Sequence, residues 1–221
     1  MGPIGFYKII KPAVQNVTID SLSNKVVAID LSIWIMNFVG VSIKSKSYSS
    51  VEAHVVNGCL KRILRLWGLG VKCIIVLESY RTCSSITPEL IAVLVNLFDT
   101  IKIPYMNAKG RGEELCAVLE QTGVVSAVVS DDSDCLLFGV RKLYKNLFSP
   151  TIELYDIEHI ESRTGLNRKN LIAIAMFLGS KDYNGVVGVG SKIATEVVKV
   201  YNYILYYVIL KKLILILLLE F

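Results

Sequence analysis

The sequence predicts an α/β fold: a mostly parallel sheet with helices on both faces. Three observations support this. Short runs of β-branched and small apolar residues, such as Val26-Val27-Ala28-Ile29, have the composition of strands buried on both sides. The stretches between them are longer and carry apolar residues at helical spacing. Strand and helix alternate along the first 150 residues, and parallel strands joined by crossover helices require that order.

Taken in order, Lys25 to Asp30 is the first strand and Leu31 to Phe38 the helix that follows it. A Ser/Lys-rich loop, Lys44 to Ser50, leads to a helix from Val51 to Trp67, and Val71 to Leu77 is the next strand, ending at Glu78. Thr87-Pro88-Glu89 opens a helix to Phe98, because a hydroxyl cap followed by proline at the first helical position suits a helix start. Pro104 to Asn107 is a third strand. Gly110 and Gly112 precede a helix from Glu113 to Gln121, and Val124 to Ser130 is a fourth strand running into Asp131-Asp132-Ser133-Asp134. From Thr151 the pattern changes to a short strand, Ile152 to Tyr155, and then helices at Ile157 to Arg163 and Lys169 to Leu178. Gly188-Val189-Gly190-Ser191-Lys192 is a glycine-framed turn opening another helix, where backbone N–H groups can hold a phosphate. The division expected is a core over residues 1–150, a helical region over 151–200 and a hydrophobic low-complexity tail over 201–221. In that tail Lys211-Lys212 interrupt the Ile/Leu run and count against a membrane span.

A chain of 221 residues has room for one sizeable core with a small appendage, which excludes a large modular enzyme. The net charge of +5 permits nucleic-acid binding without requiring it. The five cysteines (Cys59, Cys73, Cys83, Cys116 and Cys135) are odd in number, widely spaced and form no CxxC pair. Neither a disulfide framework nor a zinc site is expected, and a reducing, intracellular setting follows. The N-terminal MGPIGFYKIIKP has neither the apolar core of an export signal nor the Ser or Thr at position 6 that myristoylation needs. Trp34 and Trp67 read as core aromatics, Cys116 and Cys135 as small buried hydrophobes. Lys61, Arg62 and Arg65 read equally as a solvated helix face or a phosphate track.

The acids carry the functional signal. Asp30, Glu78, Asp132 and Asp134 each follow a predicted strand, and Glu113 opens a helix that follows another. In an open parallel sheet, groups beyond the carboxyl ends of the strands share one crevice. Carboxylates gathered there repel one another, an arrangement usually kept where divalent cations neutralise it. With His54 and His159 the only imidazoles, this donor set suits Mg²⁺ or Mn²⁺ and not zinc. Two such ions about 3.5–4 Å apart suit phosphodiester hydrolysis.

On these motifs the chain resembles the flap endonuclease and XPG family of structure-specific nucleases, and within it the Holliday-junction resolvase Gen branch. MGPIGFYKIIKP is similar to the family's MGxxGLWxxL opening, and KVVAIDLSIW (Lys25 to Trp34) to its first metal-binding strand. CIIVLES resembles the next acidic strand, SDDSDCLLFG the DxD motif, and FLGSKDYNGVVGVGSKIA (Phe177 to Ala194) the GxDY segment that enters a helix-hairpin-helix. The resemblance implies a PIN-like (resolvase-like) fold with a C-terminal helix-hairpin-helix portion, two Mg²⁺ ions for which Mn²⁺ can substitute, a nuclear location, and incision of flapped or branched DNA in repair or recombination. It implies that Asp30, Glu78, Glu113, Asp132, Asp134 and Asp182 bind metal and carry catalysis. Gly2, Arg81, Gly188, Val189, Gly190, Ser191 and Lys192 are implied to touch DNA, the turn among them through a monovalent ion such as K⁺.

The chain departs from the family pattern at two places. Where the family reads G-E-A-E-A-x-C-A, this chain reads Gly110-Arg111-Gly112-Glu113-Glu114-Leu115-Cys116-Ala117, so Arg111 stands in place of a metal-site glutamate. At an effective dielectric near 20, one charge pair at about 5 Å amounts to roughly 3 kcal/mol, so the reversal weakens metal binding. Glu114 shares a helix face with position 111, and either substitutes for the lost carboxylate or pairs with Arg111. Between Glu78 and Pro104, where the family carries a longer basic arch, only Arg81 and Lys102 are cationic. These departures support a second reading, a degenerate or truncated pseudo-nuclease that binds branched DNA or a partner without cutting.

Overall fold

The computed structural model describes residues 5–45, 51–78, 87–180 and 183–200. By contact density the chain divides into two units, residues 15–155 and a second made of residues 1–14 with 156–221.

The larger unit is built on one seven-stranded sheet. Its strands are β1 (Gln15–Val17), β2 (Val26–Asp30), β3 (Lys72–Leu77), β4 (Tyr105–Asn107), β5 (Ala127–Val129), β6 (Lys142–Lys145) and β7 (Ile152–Asp156), in the order β1-β7-β6-β5-β2-β3-β4. The five strands from β6 to β4 run parallel, and β1 pairs antiparallel with β7 at the edge. β2 lies between β3 and β5, with Ile29 opposite Ile75 on one side and Val129 on the other. Val27, Ala28, Ile29 and Asp30 are all buried, as an apolar run in a central parallel strand should be. The ends of β2, β3 and β5 therefore open on one edge, and the acids follow those ends.

Helices α2 (Leu31–Ser45), α3 (Val51–Gly68), α4 (Pro88–Ile101), α5 (Gly112–Gln121) and α6 (Asp134–Phe138) belong to this unit. The Thr87 hydroxyl accepts from the Leu90 amide at 3.3 Å with Pro88 behind it, the cap expected from the sequence. α3 places Val55, Cys59, Ile63 and Leu66 into the core at helical spacing. Trp34 is buried there too, but Trp67 is 40% exposed, contrary to its expected place in the core. The Arg62 guanidinium lies 5.0 Å from the Trp34 ring, 4.5 Å from Phe38 and 4.9 Å from Phe148, so it clasps aromatic faces, while Lys61 and Arg65 are exposed.

Some elements differ from the sequence expectation. α2 runs on past Phe38 to Ser45, which takes Lys44 and Ser45 out of the expected loop; residues 46–50 of that loop lie outside the described residues. β5 is shorter than expected because the Val124 and Val125 amides turn back to the Leu119 carbonyl and close the end of α5. β1 and β6 were not expected. β1 has three residues, and β6 has lysine at both ends, so neither shows an apolar alternation.

In the second unit, α1 (Phe6–Ile10), α7 (Ile157–Thr164), α8 (Arg168–Leu178) and α9 (Ser191–Val200) are helical. Asp156 caps α7 by accepting from the Glu158 and His159 amides, and Asn167 and Asn170 form a reciprocal capping box at the start of α8. α8 and α9 pack together, and α1 packs against both. The chain between α8 and α9 passes close to itself: the Ser180 amide bonds the Tyr183 carbonyl and the Val186 amide the Phe177 carbonyl. No described helix is long and apolar enough to cross a membrane, and the hydrophobic tail lies outside the described residues.

Gly179 and Gly185 face each other across this loop. A Cβ on Gly185 would lie 2.6 Å from the Gly179 nitrogen, at a φ of +66°. Gly188 has a φ of +82° but open space around it. Gly185→Ala should therefore cost about 2 kcal/mol or more and Gly188→Ala about 1 kcal/mol. Urea unfolding of the two variants checks this, and equal costs would contradict it.

Candidate metal centre

Asp30 is the last residue of β2, and 2% of its surface is exposed. Its Oδ2 accepts a 2.8 Å hydrogen bond from the Ser130 hydroxyl, whose oxygen in turn accepts from the Asp132 amide at 3.0 Å. Asp132 Oδ1 then accepts from the Asp134 amide at 3.0 Å. Ser130 thus ties the central strand to the acidic loop after β5, and the loop's own backbone orients Asp132.

Glu113 lies in the first turn of α5, one residue after Gly112. A Cβ on Gly112 would lie 3.5 Å from Asp30 Oδ1 and 3.8 Å from the Glu78 Cβ, so the helix start is pressed against both acids. Burial pushes Asp30 from its ordinary 3.8 up to about 7, with the charges of Glu113 and then Glu78 adding to it and the Ser130 and Ser32 hydrogen bonds opposing it. Among the described residues no cation contributes to that balance. Asp134 is also pushed up, first by burial and then by Glu113, and here positive charges, Arg111 and Lys145 among them, oppose the shift. Asp30 therefore feels the charges of Glu113 and Glu78, and Asp134 that of Glu113, at one edge of the sheet.

Two carboxylate oxygens in this group, Glu113 Oε2 and Asp134 Oδ1, are buried with no hydrogen-bond partner. Buried acceptors in that state are costly unless something positive meets them. Carboxylate oxygens without imidazole or ionised thiol suit a hard divalent cation, so the residues present fit Mg²⁺ or Mn²⁺. Cys116 and Cys135 lie beneath the site as buried thiols, pushed well above their ordinary range by desolvation. Among the described residues no three His, Cys, Asp or Glu side chains form a ready-made cluster around one ion.

Asp30, Glu78, Glu113, Asp132 and Asp134 stand in the same unit at this edge. Asp182, Gly2 and Arg81 lie outside the described residues. Glu114 is exposed in the first turn of α5. Gly188, Val189, Gly190, Ser191 and Lys192 lead into α9 in the other unit, where the Ala194 amide bonds the Gly190 carbonyl and Lys192 is exposed.

Sequence reasoning missed three supporting residues. In the sequence Ser130 has only the character of a strand end. Asp131 accepts from the Asn146 amide at 2.7 Å and from Asn37 Nδ2 at 3.4 Å, which fastens the acidic loop to the next strand and to α2. Lys145 is 9% exposed and acts on Asp131, Glu153 and Asp134. A lysine at the end of a short polar strand gives no sign in the sequence that it is buried.

The chain matches the family models described as XPG N-terminal domain over residues 1–84 and XPG I-region over residues 102–181. It is 30% identical over 230 residues to Flap endonuclease GEN-like 1 of Arabidopsis thaliana, covering 89% of this chain and 38% of that protein. The catalytic core of Rad2 in complex with DNA substrate has the same fold, with a TM-score of 0.82 and 30% identity over 93% of this chain and 71% of that one. A eukaryotic junction-resolving enzyme GEN-1 binding potassium gives a TM-score of 0.73 and 26% identity over 90% of this chain and 50% of that one. The chain spans about two-fifths of the curated plant relative's length.

The Asp30 shift has a pH consequence. In metal-free protein the folded state holds a proton on Asp30 that the unfolded chain has released between pH 3.8 and about 7. Its stabilising contribution is full below the unfolded value and lost as pH rises through about 7. Asp30→Asn removes this dependence, so its stability relative to the unmodified chain should improve by about 4 kcal/mol from pH 4 to pH 8. Denaturation of both proteins in chelator across that range checks the sign, and parallel curves would contradict it.

Proposed function

This chain belongs to the XPG family of nucleases, and from that premise we propose that it is a Mg²⁺-dependent, structure-specific DNA endonuclease. Its reaction is hydrolysis of a phosphodiester in flapped or branched DNA, in repair or recombination, and its place is the nucleus. The observation that carries the reading is Asp30: a carboxylate buried at the end of the central strand, pressed by Glu113 and Glu78, with no cation among the described residues to balance it. A purely structural acid in that position would be expected to have a counter-charge or to be absent.

Asp30, Glu78, Glu113, Asp132, Asp134 and Asp182 are the residues that would hold the metal. Two Mg²⁺ ions, when bound, supply Lewis-acid activation of water and stabilisation of the leaving oxygen. Ser130 keeps Asp30 oriented through its 2.8 Å hydrogen bond, and the Asp134 amide does the same for Asp132. The turn from Gly188 to Lys192, which leads into α9, would serve as the helix-hairpin-helix turn, offering backbone N–H groups and a lysine to duplex phosphates with K⁺ as its ion. A junction-resolving relative binds potassium, which supports K⁺ as the monovalent ion. Gly2 and Arg81 contact DNA as well.

Incision of labelled 5′-flap and four-way-junction DNA tests the reading. The unmodified chain should cut in Mg²⁺ and not in chelator, and Asp30→Ala should lower the rate at least about a hundredfold, the scale of losing a principal charge-stabilising group. Binding of both substrates without any cleavage would favour the non-cutting reading.

A further inference from the structure

We infer that Ser130 is a positioning residue that withholds one oxygen of Asp30 from the metal, so that Asp30 meets the ion through Oδ1 alone and the centre favours Mg²⁺ over Ca²⁺. The inference rests on the metal-dependent reading above and concerns which ion that site selects.

Strand register sets up the contact. β5 pairs with β2 so that Val129 lies beside Ile29, and Ser130 and Asp30 are the next residues along the two parallel chains. The Ser130 amide bonds the Tyr144 carbonyl at 3.2 Å, which ties the same residue to β6. Ser130 is 1% exposed, so water does not compete for its hydroxyl.

A serine hydroxyl has one hydrogen to give. Here it goes to Asp30 Oδ2 at 2.8 Å, while the hydroxyl oxygen accepts from the Asp132 amide at 3.0 Å. With its backbone held by β6 and its oxygen held by that amide, the hydroxyl keeps its hydrogen on Oδ2. An ion chelated by both oxygens of Asp30 would compete with that hydrogen. Oδ1 lies toward the start of α5, where a Cβ on Gly112 would stand 3.5 Å from it. Glu113, in the same first turn, has its Oε2 buried with no hydrogen-bond partner among the described residues. The Asp30 oxygen that Ser130 leaves alone is thus on the side where another carboxylate oxygen awaits a positive partner. The acidic loop repeats the device: Asp132 Oδ1 accepts from the Asp134 amide at 3.0 Å, so the protein's own donors engage one oxygen of each of these two acids.

Ligand number separates the two hard ions. Ca²⁺ gathers about six to eight oxygens and readily takes both oxygens of one carboxylate, whereas Mg²⁺ demands an octahedral shell, keeps several waters and uses few carboxylates. Restricting Asp30 to one oxygen therefore removes a ligand that Ca²⁺ would use and Mg²⁺ would not. The Ser32 amide also donates to the Asp30 carboxylate, so a variant without the Ser130 hydroxyl still has a donor there.

Competition against Mn²⁺ bound to the full chain without DNA, followed by the electron paramagnetic resonance signal of the freed ion, tests this. The readout is the ratio of the Ca²⁺ and Mg²⁺ concentrations that displace half the Mn²⁺. Ser130→Ala should move that ratio about tenfold in favour of Ca²⁺, the scale on which partners of metal ligands act, and Ser130→Thr should keep the unmodified value. Ser130→Cys, whose thiol is a weak donor, should follow Ser130→Ala and gives the same reading if that variant does not fold, as judged by circular dichroism. An unchanged ratio in Ser130→Ala or Ser130→Cys, with both ions weakened alike or neither affected, would overturn the inference and leave the nuclease reading intact. So would Ser130→Thr matching Ser130→Ala. No Mn²⁺ bound by the unmodified chain would overturn the metal-dependent reading itself, and the inference with it.

Discussion

Burial of the Asp30 carboxylate at the end of the central strand, beside two other acids and with no cation among the described residues, is the constraint from which the rest of this site follows. A charge desolvated in this way is stable only if protonated or met by a positive partner. Around it the fold supplies orientation and no neutralisation: the Ser130 hydroxyl, the Ser32 amide, and the close approach of Gly112. The same hydrophobic core that makes β2 a good strand makes Asp30 a poor place for an uncompensated charge. A divalent cation resolves that conflict with the fewest further assumptions.

The supports around the acids form a continuous structure. Ser130 joins β2 to the loop after β5, the Asp134 amide orients Asp132, and Asp131 fastens that loop to Asn146 and Asn37. Behind it, Arg62 packs among Trp34, Phe38 and Phe148, which joins α2, α3 and the segment after β6. Carboxylates that repel one another stay near their working positions only if their backbones are held from outside, and these contacts hold them.

Much of this was legible in the sequence because it depends on local pattern. The run Val26 to Asp30 identified a buried parallel strand, Thr87-Pro88 identified a helix start, and the acids after the strand ends followed from the topology. Other features depend on tertiary contact and leave no local trace. β6 carries lysine at both ends and reads as polar until its pairing with β5 is seen, and the burial of Lys145 follows from that pairing. Ser130 acquires a role only because β5 lies beside β2, and Trp67 has the composition of a core residue but faces outward. Arg111 is the intermediate case. The sequence shows a reversed charge, and only the structure shows that this charge acts on Asp134.

The central claim, that the acidic edge is stabilised by a divalent cation the fold itself does not replace at Asp30, is tested most directly by thermal unfolding at pH 8 with increasing Mg²⁺. The unmodified chain should gain stability continuously with ion concentration, as linkage requires of a ligand that binds only the folded state, and Asp30→Asn should gain little or nothing. An unmodified chain indifferent to Mg²⁺, or an Asp30→Asn variant that responds equally, would contradict the account.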